Sequence, residues 1–88
     1  MKYTVAWTVE AEEDLAAIWV DAVDRNVIAR AAESLDRELA QNPAAVGESR
    51  PNSQRIAYCL PLGIQFEIFE DDRLVRVLAV WLCRHLKT

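Results

Sequence analysis

The chain has 88 residues, of which 52% are apolar, and it contains only two Gly and three Pro. This length fits one small domain over residues 1–88, and the composition is that of a globular protein rather than a disordered one. No apolar run approaches the roughly 18 residues that a bilayer-spanning helix needs, so we expect a cytoplasmic protein with no membrane partner.

Charge is distributed unevenly along the chain, whose formal net charge is −4. Residues 1–48 carry ten acids and four bases, whereas residues 49–88 carry four acids and six bases. Affinity for phosphate depends mainly on clustered Lys and Arg, so an acidic chain is not expected to attract nucleic acid at long range. The second half could still present a local basic face.

The first half of the chain has the pattern of a strand followed by two helices. Residues 3–7 are rich in β-forming side chains and predict a strand. Thr8 is a candidate N-cap, and apolar residues recur at three- and four-residue steps over residues 11–23. Residues 28–39 repeat this spacing, and Pro43 ends the second helix. The short connection predicts an antiparallel helical hairpin.

The second half of the chain changes from the helical period to the period of two that is typical of strands. After a polar loop over residues 42–53, strands are predicted over residues 55–60, 64–69 and 74–82. The last of these is almost entirely apolar, which favours a central strand covered on both faces.

These elements predict an α+β fold of order β-α-α-β-β-β. We expect the helical hairpin to pack on one face of a curved, mainly antiparallel four-stranded sheet.

Three stretches carry a resemblance to a known family: YTVAWT over residues 3–8, EAEEDL over residues 10–15, and LGIQFEIFEDDRLVRVLAV over residues 62–80. In this order and spacing the chain resembles the RelE/ParE superfamily of bacterial type II toxin–antitoxin toxins. The resemblance implies a toxin-like protein that needs no cofactor. It also implies a cognate antitoxin whose flexible segment covers the helical hairpin and the sheet.

The resemblance also implies two modes of action, which differ in their basic residues. One branch of the family cleaves messenger RNA on the ribosome, with basic side chains on the second, third and fourth predicted strands. By position, Arg55, Arg84 and His85 are the candidate catalytic residues here, and Arg50 is a candidate phosphate contact. The nuclease branch has an arginine near the start of the third strand, where this chain has Leu62–Gln65.

This departure favours the other branch, which inhibits DNA gyrase, or else a degenerate toxin. A ribosome-dependent mRNA interferase is the alternative, so ribonuclease activity stays open. A non-catalytic interaction or dimerisation module on the same fold is a further alternative.

Each basic candidate also has a simpler interpretation. His85 is the only histidine and suits proton transfer near neutral pH, but it could equally be a solvated residue near the C-terminus. Arg55 and Arg84 could neutralise a phosphodiester, or they could pair with Glu67 or Glu70 across the sheet.

The two cysteines are expected to be free thiols in or beside the core. Cys59 and Cys83 end strands with a third strand between them, and two strand spacings of about 9.6 Å exceed the roughly 7 Å limit for a disulfide. Zinc held by Cys59, Cys83 and His85 would lack a fourth ligand and a motif spacing, so no metal is expected.

Two surfaces are candidates for binding a partner. Trp81 and Leu82 close an apolar strand and predict an apolar patch that binds a second protein or a second copy of the chain. Glu12, Glu13 and Asp21 form an acidic face of the first helix. We expect that face to be solvated, with docking as the alternative.

Overall fold

A computed structural model describes residues 2–83 of the protein, and its elements follow the predicted order. They are β1 (Thr4–Trp7), α1 (Val9–Asp21), α2 (Arg25–Gln41), a 3-10 turn (Pro43–Ala45), β2 (Glu48–Arg50), β3 (Gln54–Cys59), β4 (Leu62–Phe69) and β5 (Leu74–Leu82). Both helices pack against one sheet of strand order β1-β5-β4-β3-β2. Only the β1–β5 pair is parallel among the described strands. The predicted α+β order is confirmed.

Side-chain caps explain where the two helices begin. The Thr8 hydroxyl accepts a hydrogen bond from the Ala11 amide at 3.0 Å, and the Asp24 carboxylate accepts one from the Asn26 amide at 3.0 Å. Each cap satisfies an amide that has no partner within its own helix. In the described part of the chain no helix is long and apolar enough to cross a bilayer.

The core lies between the helices and the inner face of the sheet. The helices contribute apolar residues at three- and four-residue spacing, and the strands contribute mostly alternate residues. The buried core residues are Ala11, Ile28, Ala31, Leu35, Leu39, Ala57, Leu62, Ile64, Phe66, Val75, Val77 and Val80. Both helices are therefore held by burial on the same side of the sheet.

A fifth strand lies within the predicted polar loop. β2 has only three residues, all exposed, and it pairs antiparallel with β3. Its residues carry no apolar alternation because neither face is buried. Pairing with β3, rather than a local pattern, makes this segment a strand.

β5 is central in the sheet, but the expectation that it is covered on both faces is wrong. Its inward residues change from Val75 and Val77 to Val80, because the β4–β5 register shifts and leaves Leu78 without a paired residue. Such a bulge moves the buried positions from odd to even numbers. The apolar residues of β5 therefore occupy two faces, of which one is buried.

The N-terminal end of α1 completes the edge of β5 beyond the short strand β1. The Thr8 amide donates to the Val77 carbonyl at 3.0 Å, and the Asp14 carboxylate accepts from the Val80 amide at 3.1 Å. Asp14 thus satisfies a strand amide that has no strand partner, as buried amides require.

Candidate functional site

The face of the sheet opposite the helices is the main candidate surface, and we call it the open face. Its residues pair across strands and therefore point to the same side. They are Thr4, Ala6, Glu48, Arg50, Gln54, Ile56, Tyr58, Gly63, Gln65, Glu67, Phe69, Leu74, Arg76, Ala79 and Trp81. Since both helices pack on the inner face, the open face has no helical layer within residues 2–83.

Neutral amides occupy the centre of the open face. The Gln65 amide nitrogen donates to the side-chain oxygen of Gln54, and the Gln54 amide nitrogen donates to the Glu67 carboxylate at 3.5 Å. Arg50 and Arg76 are the open-face arginines on β2–β5, and they lie at opposite ends of one cross-strand row with Gln54 and Glu67 between them. The Arg76 guanidinium carbon lies 5.0 Å from the centre of the Phe69 ring. The centre of this surface therefore offers amide groups and a carboxylate between two separated arginines, where a phosphate site would need clustered cations.

One end of the open face is aromatic because a glycine permits close approach. An added Cβ at Gly63 would lie 2.5 Å from the indole nitrogen of Trp81, so the indole lies directly over the Gly63 backbone. Tyr58 meets Trp81 edge-on, with ring centres 6.2 Å apart, and its side chain is exposed. Gly63 lies in the stretch Leu62–Gln65, where the sequence departs from the nuclease pattern. The close packing of Trp81 explains why a glycine is needed at this position.

Arg55 lies on the helix-facing side of β3, where its cross-strand partner is the buried Phe66. Its guanidinium donates to the Val46 and Gly47 carbonyls, both at 3.0 Å, and to the Ser49 hydroxyl at 3.3 Å. These bonds hold the segment between the 3-10 turn and β2. The Arg55 guanidinium is therefore engaged on the helix-facing side of the sheet, away from the open face.

The remaining basic candidates are not brought together with Arg55 in the described structure. Arg50 lies on the exposed strand β2 and forms a surface ion pair with Glu48 at 3.1 Å. Arg84 and His85 lie outside the described residues. The assignment of Arg55, Arg84 and His85 as catalytic residues, with Arg50 as a phosphate contact, thus stays a prediction.

Both cysteines are half-buried free thiols. β4 separates β3 from β5, which is the strand order on which the expectation of two free thiols depended. Within residues 2–83 no group of three His, Cys, Asp or Glu side chains is placed to hold a metal ion.

A polar cluster that the sequence analysis did not identify joins the start of β1 to the β4–β5 turn. The Tyr3 hydroxyl donates to the Glu70 carboxylate at 2.7 Å, and Arg73 donates to the same hydroxyl at 3.3 Å. The hydrogen bond to Glu70 raises the pKa of Tyr3, because it needs the protonated phenol. The cluster links two turns of the molecule and lies apart from the open face.

Three solved structures share this architecture over nearly the whole chain. A chain of the RelBE2 toxin–antitoxin complex from Mycobacterium tuberculosis is 22% identical, with a TM-score of 0.77, and the match covers 93% of this chain and 92% of that one. A chain of the chromosomal ParDE system of P. aeruginosa is 18% identical, with a TM-score of 0.69 and coverages of 93% and 97%. The isolated E. coli RelE toxin is 11% identical, with a TM-score of 0.66 and coverages of 97% and 88%.

No protein-family model and no curated protein sequence matches the chain. The structural likeness therefore establishes the fold. The chain has the fold that these structures share, which is a RelE/ParE-like fold.

Proposed function

We propose that this chain is the toxin-like component of a type II toxin–antitoxin pair and is neutralised by a cognate antitoxin. The shared architecture supports this proposal, because it extends over 93% of the chain in matches to the RelBE2 and ParDE structures. The first of these structures is a toxin–antitoxin complex, and the second belongs to a chromosomal toxin–antitoxin system.

The proposed action is inhibition of DNA gyrase, or else a degenerate toxin without a retained target. One observation carries this choice over RNA cleavage: the centre of the open face is built from Gln54, Gln65 and Glu67, which bond to one another. A cleavage site must stabilise charge on the scissile phosphate, and losing one such donor typically lowers the rate about 10²–10³-fold. The net charge of −4 adds long-range repulsion of RNA.

Induced expression in a bacterial host tests the proposal. Protein synthesis and plasmid supercoiling are followed separately after induction, beside a Leu35→Asp variant that places a carboxylate at a fully buried position. We expect the native chain to arrest growth and to change supercoiling before protein synthesis falls, while the Leu35→Asp chain does neither. Purified chain should then inhibit supercoiling by purified gyrase.

The other outcomes identify the alternatives. Codon-resolved RNA cleavage in a translating extract, abolished by Arg84→Ala or His85→Ala, would instead establish an mRNA interferase. Growth without arrest, together with no effect on supercoiling or RNA, would leave a degenerate toxin or an interaction module. Sedimentation of the purified chain would then show whether the module forms homo-oligomers.

A further inference from the structure

The outer side of β2 has no neighbouring strand within residues 2–83, and we call it the β2 edge. β2 is the last strand in the order β1-β5-β4-β3-β2, and its three residues, Glu48, Ser49 and Arg50, are all exposed. Alternate amides and carbonyls of a strand point away from its neighbour, so those on the outer side of β2 face solvent or a partner. Such an edge can pair with a strand of another chain.

The opposite edge of the sheet, β1, is in contact with the second helix. The Tyr3 amide donates to the Ala40 carbonyl at 2.7 Å, and the Trp7 indole donates to the Asp36 carboxylate at 3.0 Å. Both acceptors belong to α2. A strand added at β1 would compete with these contacts, so the β2 edge is the more accessible of the two.

Two residues limit any ladder on the β2 edge to Glu48–Arg50. Pro51 follows β2 directly and has no amide hydrogen to donate. Gly47 precedes β2 with a φ of 70°, so the backbone is not extended there. An incoming strand would therefore pair with three residues only.

The charges of β2 are complementary to those of the same strand running in the opposite direction. Glu48 and Arg50 both lie on the open face, where they form an ion pair at 3.1 Å within one chain. In an antiparallel pair of β2 strands centred on Ser49, Glu48 of each copy would lie opposite Arg50 of the other. A ladder centred on Glu48 or on Arg50, or a parallel one, would place like charges opposite each other. Charge therefore selects a single register.

The groups that Arg50 binds within one chain are groups for which a second copy would supply partners. Its guanidinium donates to the Glu48 carboxylate and to the Ser49 carbonyl, both at 3.1 Å. Charged side chains on an edge strand usually prevent pairing. Here pairing would exchange each ion pair within a chain for one between chains, so the charges do not oppose it.

A hollow beside the start of β2 would receive the turn of the second copy. Its volume is about 560 Å³, and its lining includes Glu38 and Glu48 but no Lys or Arg of the described residues. In the register centred on Ser49, the turn that begins at Pro51 of the second copy comes opposite Gly47, which lines the hollow. The contact thus extends beyond the three-residue ladder, which alone would bury far less than the roughly 1,200 Å² of a stable complex.

We propose that two copies of this chain pair antiparallel through the β2 edge, centred on Ser49, and form a weak two-fold dimer. The pairing joins two five-stranded sheets into one and places both open faces on the same side. Each copy uses the same surface, so the contact closes after two copies and forms no filament. This pairing does not depend on the toxin function proposed above.

Sedimentation equilibrium of the full-length chain tests the pairing over roughly 0.01–1 mM, the range in which small interfaces associate. We expect a reversible monomer–dimer equilibrium. Arg50→Glu and Glu48→Arg should each weaken self-association about tenfold or more, because each places like charges opposite each other. Arg37→Glu and Asp71→Arg make the same changes in net charge at exposed positions away from β2, and they should change self-association less than about twofold.

A charge exchange tests the register separately. The chain with both Glu48→Arg and Arg50→Glu keeps a complementary pattern, so it should dimerise like the native chain. An equimolar mixture of the two single variants should form a heterodimer, because one β2 strand then carries two arginines and the other two glutamates. Native mass spectrometry identifies the heterodimer by its mass, and circular dichroism establishes that each variant is folded.

Three results would each overturn the pairing: a chain that stays monomeric across this range, self-association that Arg50→Glu leaves unchanged, or a mixture that forms no heterodimer. Species larger than a dimer would overturn the two-fold arrangement. A heterodimer that is weakened by added salt, as exposed charge pairs require, would establish it. Dimerisation of a chain that has no effect on growth would refute the toxin function alone.

Discussion

Replacing Arg55 with alanine should destabilise the fold before it affects any chemistry. The guanidinium makes three hydrogen bonds to the segment that leads into β2, and β2 has no buried side chain of its own. Bonds from a charged donor contribute about 1.5–3 kcal/mol when buried, but Arg55 is only half-buried, so we take roughly 0.5–1 kcal/mol for each. The expected loss is therefore about 2 kcal/mol.

A loss of this size is readily measured by thermal and urea unfolding. For 88 residues the unfolding entropy is roughly 0.18 kcal/mol/K, so about 2 kcal/mol lowers the Tm by about 10 °C. Arg55→Lys should lie between the native chain and Arg55→Ala, because an ammonium group cannot reach all three acceptors in the fixed geometry of a guanidinium. Arg50→Ala is the control and should cost under about 0.5 kcal/mol, since its ion pair with Glu48 is exposed.

One result would refute this reasoning about Arg55. If Arg55→Ala unfolds at the same midpoint as the native chain yet abolishes toxicity or RNA cleavage, the guanidinium acts on a target and the predicted catalytic role gains support. A folded but inactive variant is the signature of a residue that contacts the target. A variant that loses activity only in proportion to its folded fraction is the signature of a structural residue.

Three further changes test contacts described above. Gly63→Ala should displace the Trp81 indole, because the new Cβ would lie 2.5 Å from the ring nitrogen. The free energy of unfolding should fall by about 1–3 kcal/mol and the tryptophan emission should shift. Unchanged emission would contradict the packing argument. Asp14→Ala should cost about 1.5–3 kcal/mol in urea unfolding by leaving the buried Val80 amide without an acceptor, and Asp14→Asn should cost less because its amide oxygen still accepts. Tyr3 has a pKa raised from 10.0, so its contribution is complete below about pH 10 and is lost as pH rises through the folded-state pKa. Tyr3→Phe should therefore flatten the fall in stability measured across alkaline pH, and an unaltered slope would show that the bond to Glu70 contributes nothing.

The candidate site could be predicted only in part from the sequence. The absence of an arginine over Leu62–Gln65 was visible in the chain, and the open face indeed has amides there instead of cations. The face of β3 on which Arg55 lies could not be predicted, because alternation along a strand defines two faces without indicating which one packs against the helices. Pairing between Gly63 and Trp81 was likewise hidden, although a glycine inside an alternating strand is a signal of close approach.

The sequence by itself determined the local elements and their order. Thr8 caps α1, apolar residues recur at helical spacing through α2, and the later strands alternate, because each of these signals lies within one or two turns of backbone. Tertiary structure alone decided the rest: β2 exists because β3 pairs with it, and the bulge at Leu78 exchanges the buried positions of β5. Strand register and the choice of buried face depend on contacts between residues far apart in the chain, and local periodicity carries no information about them.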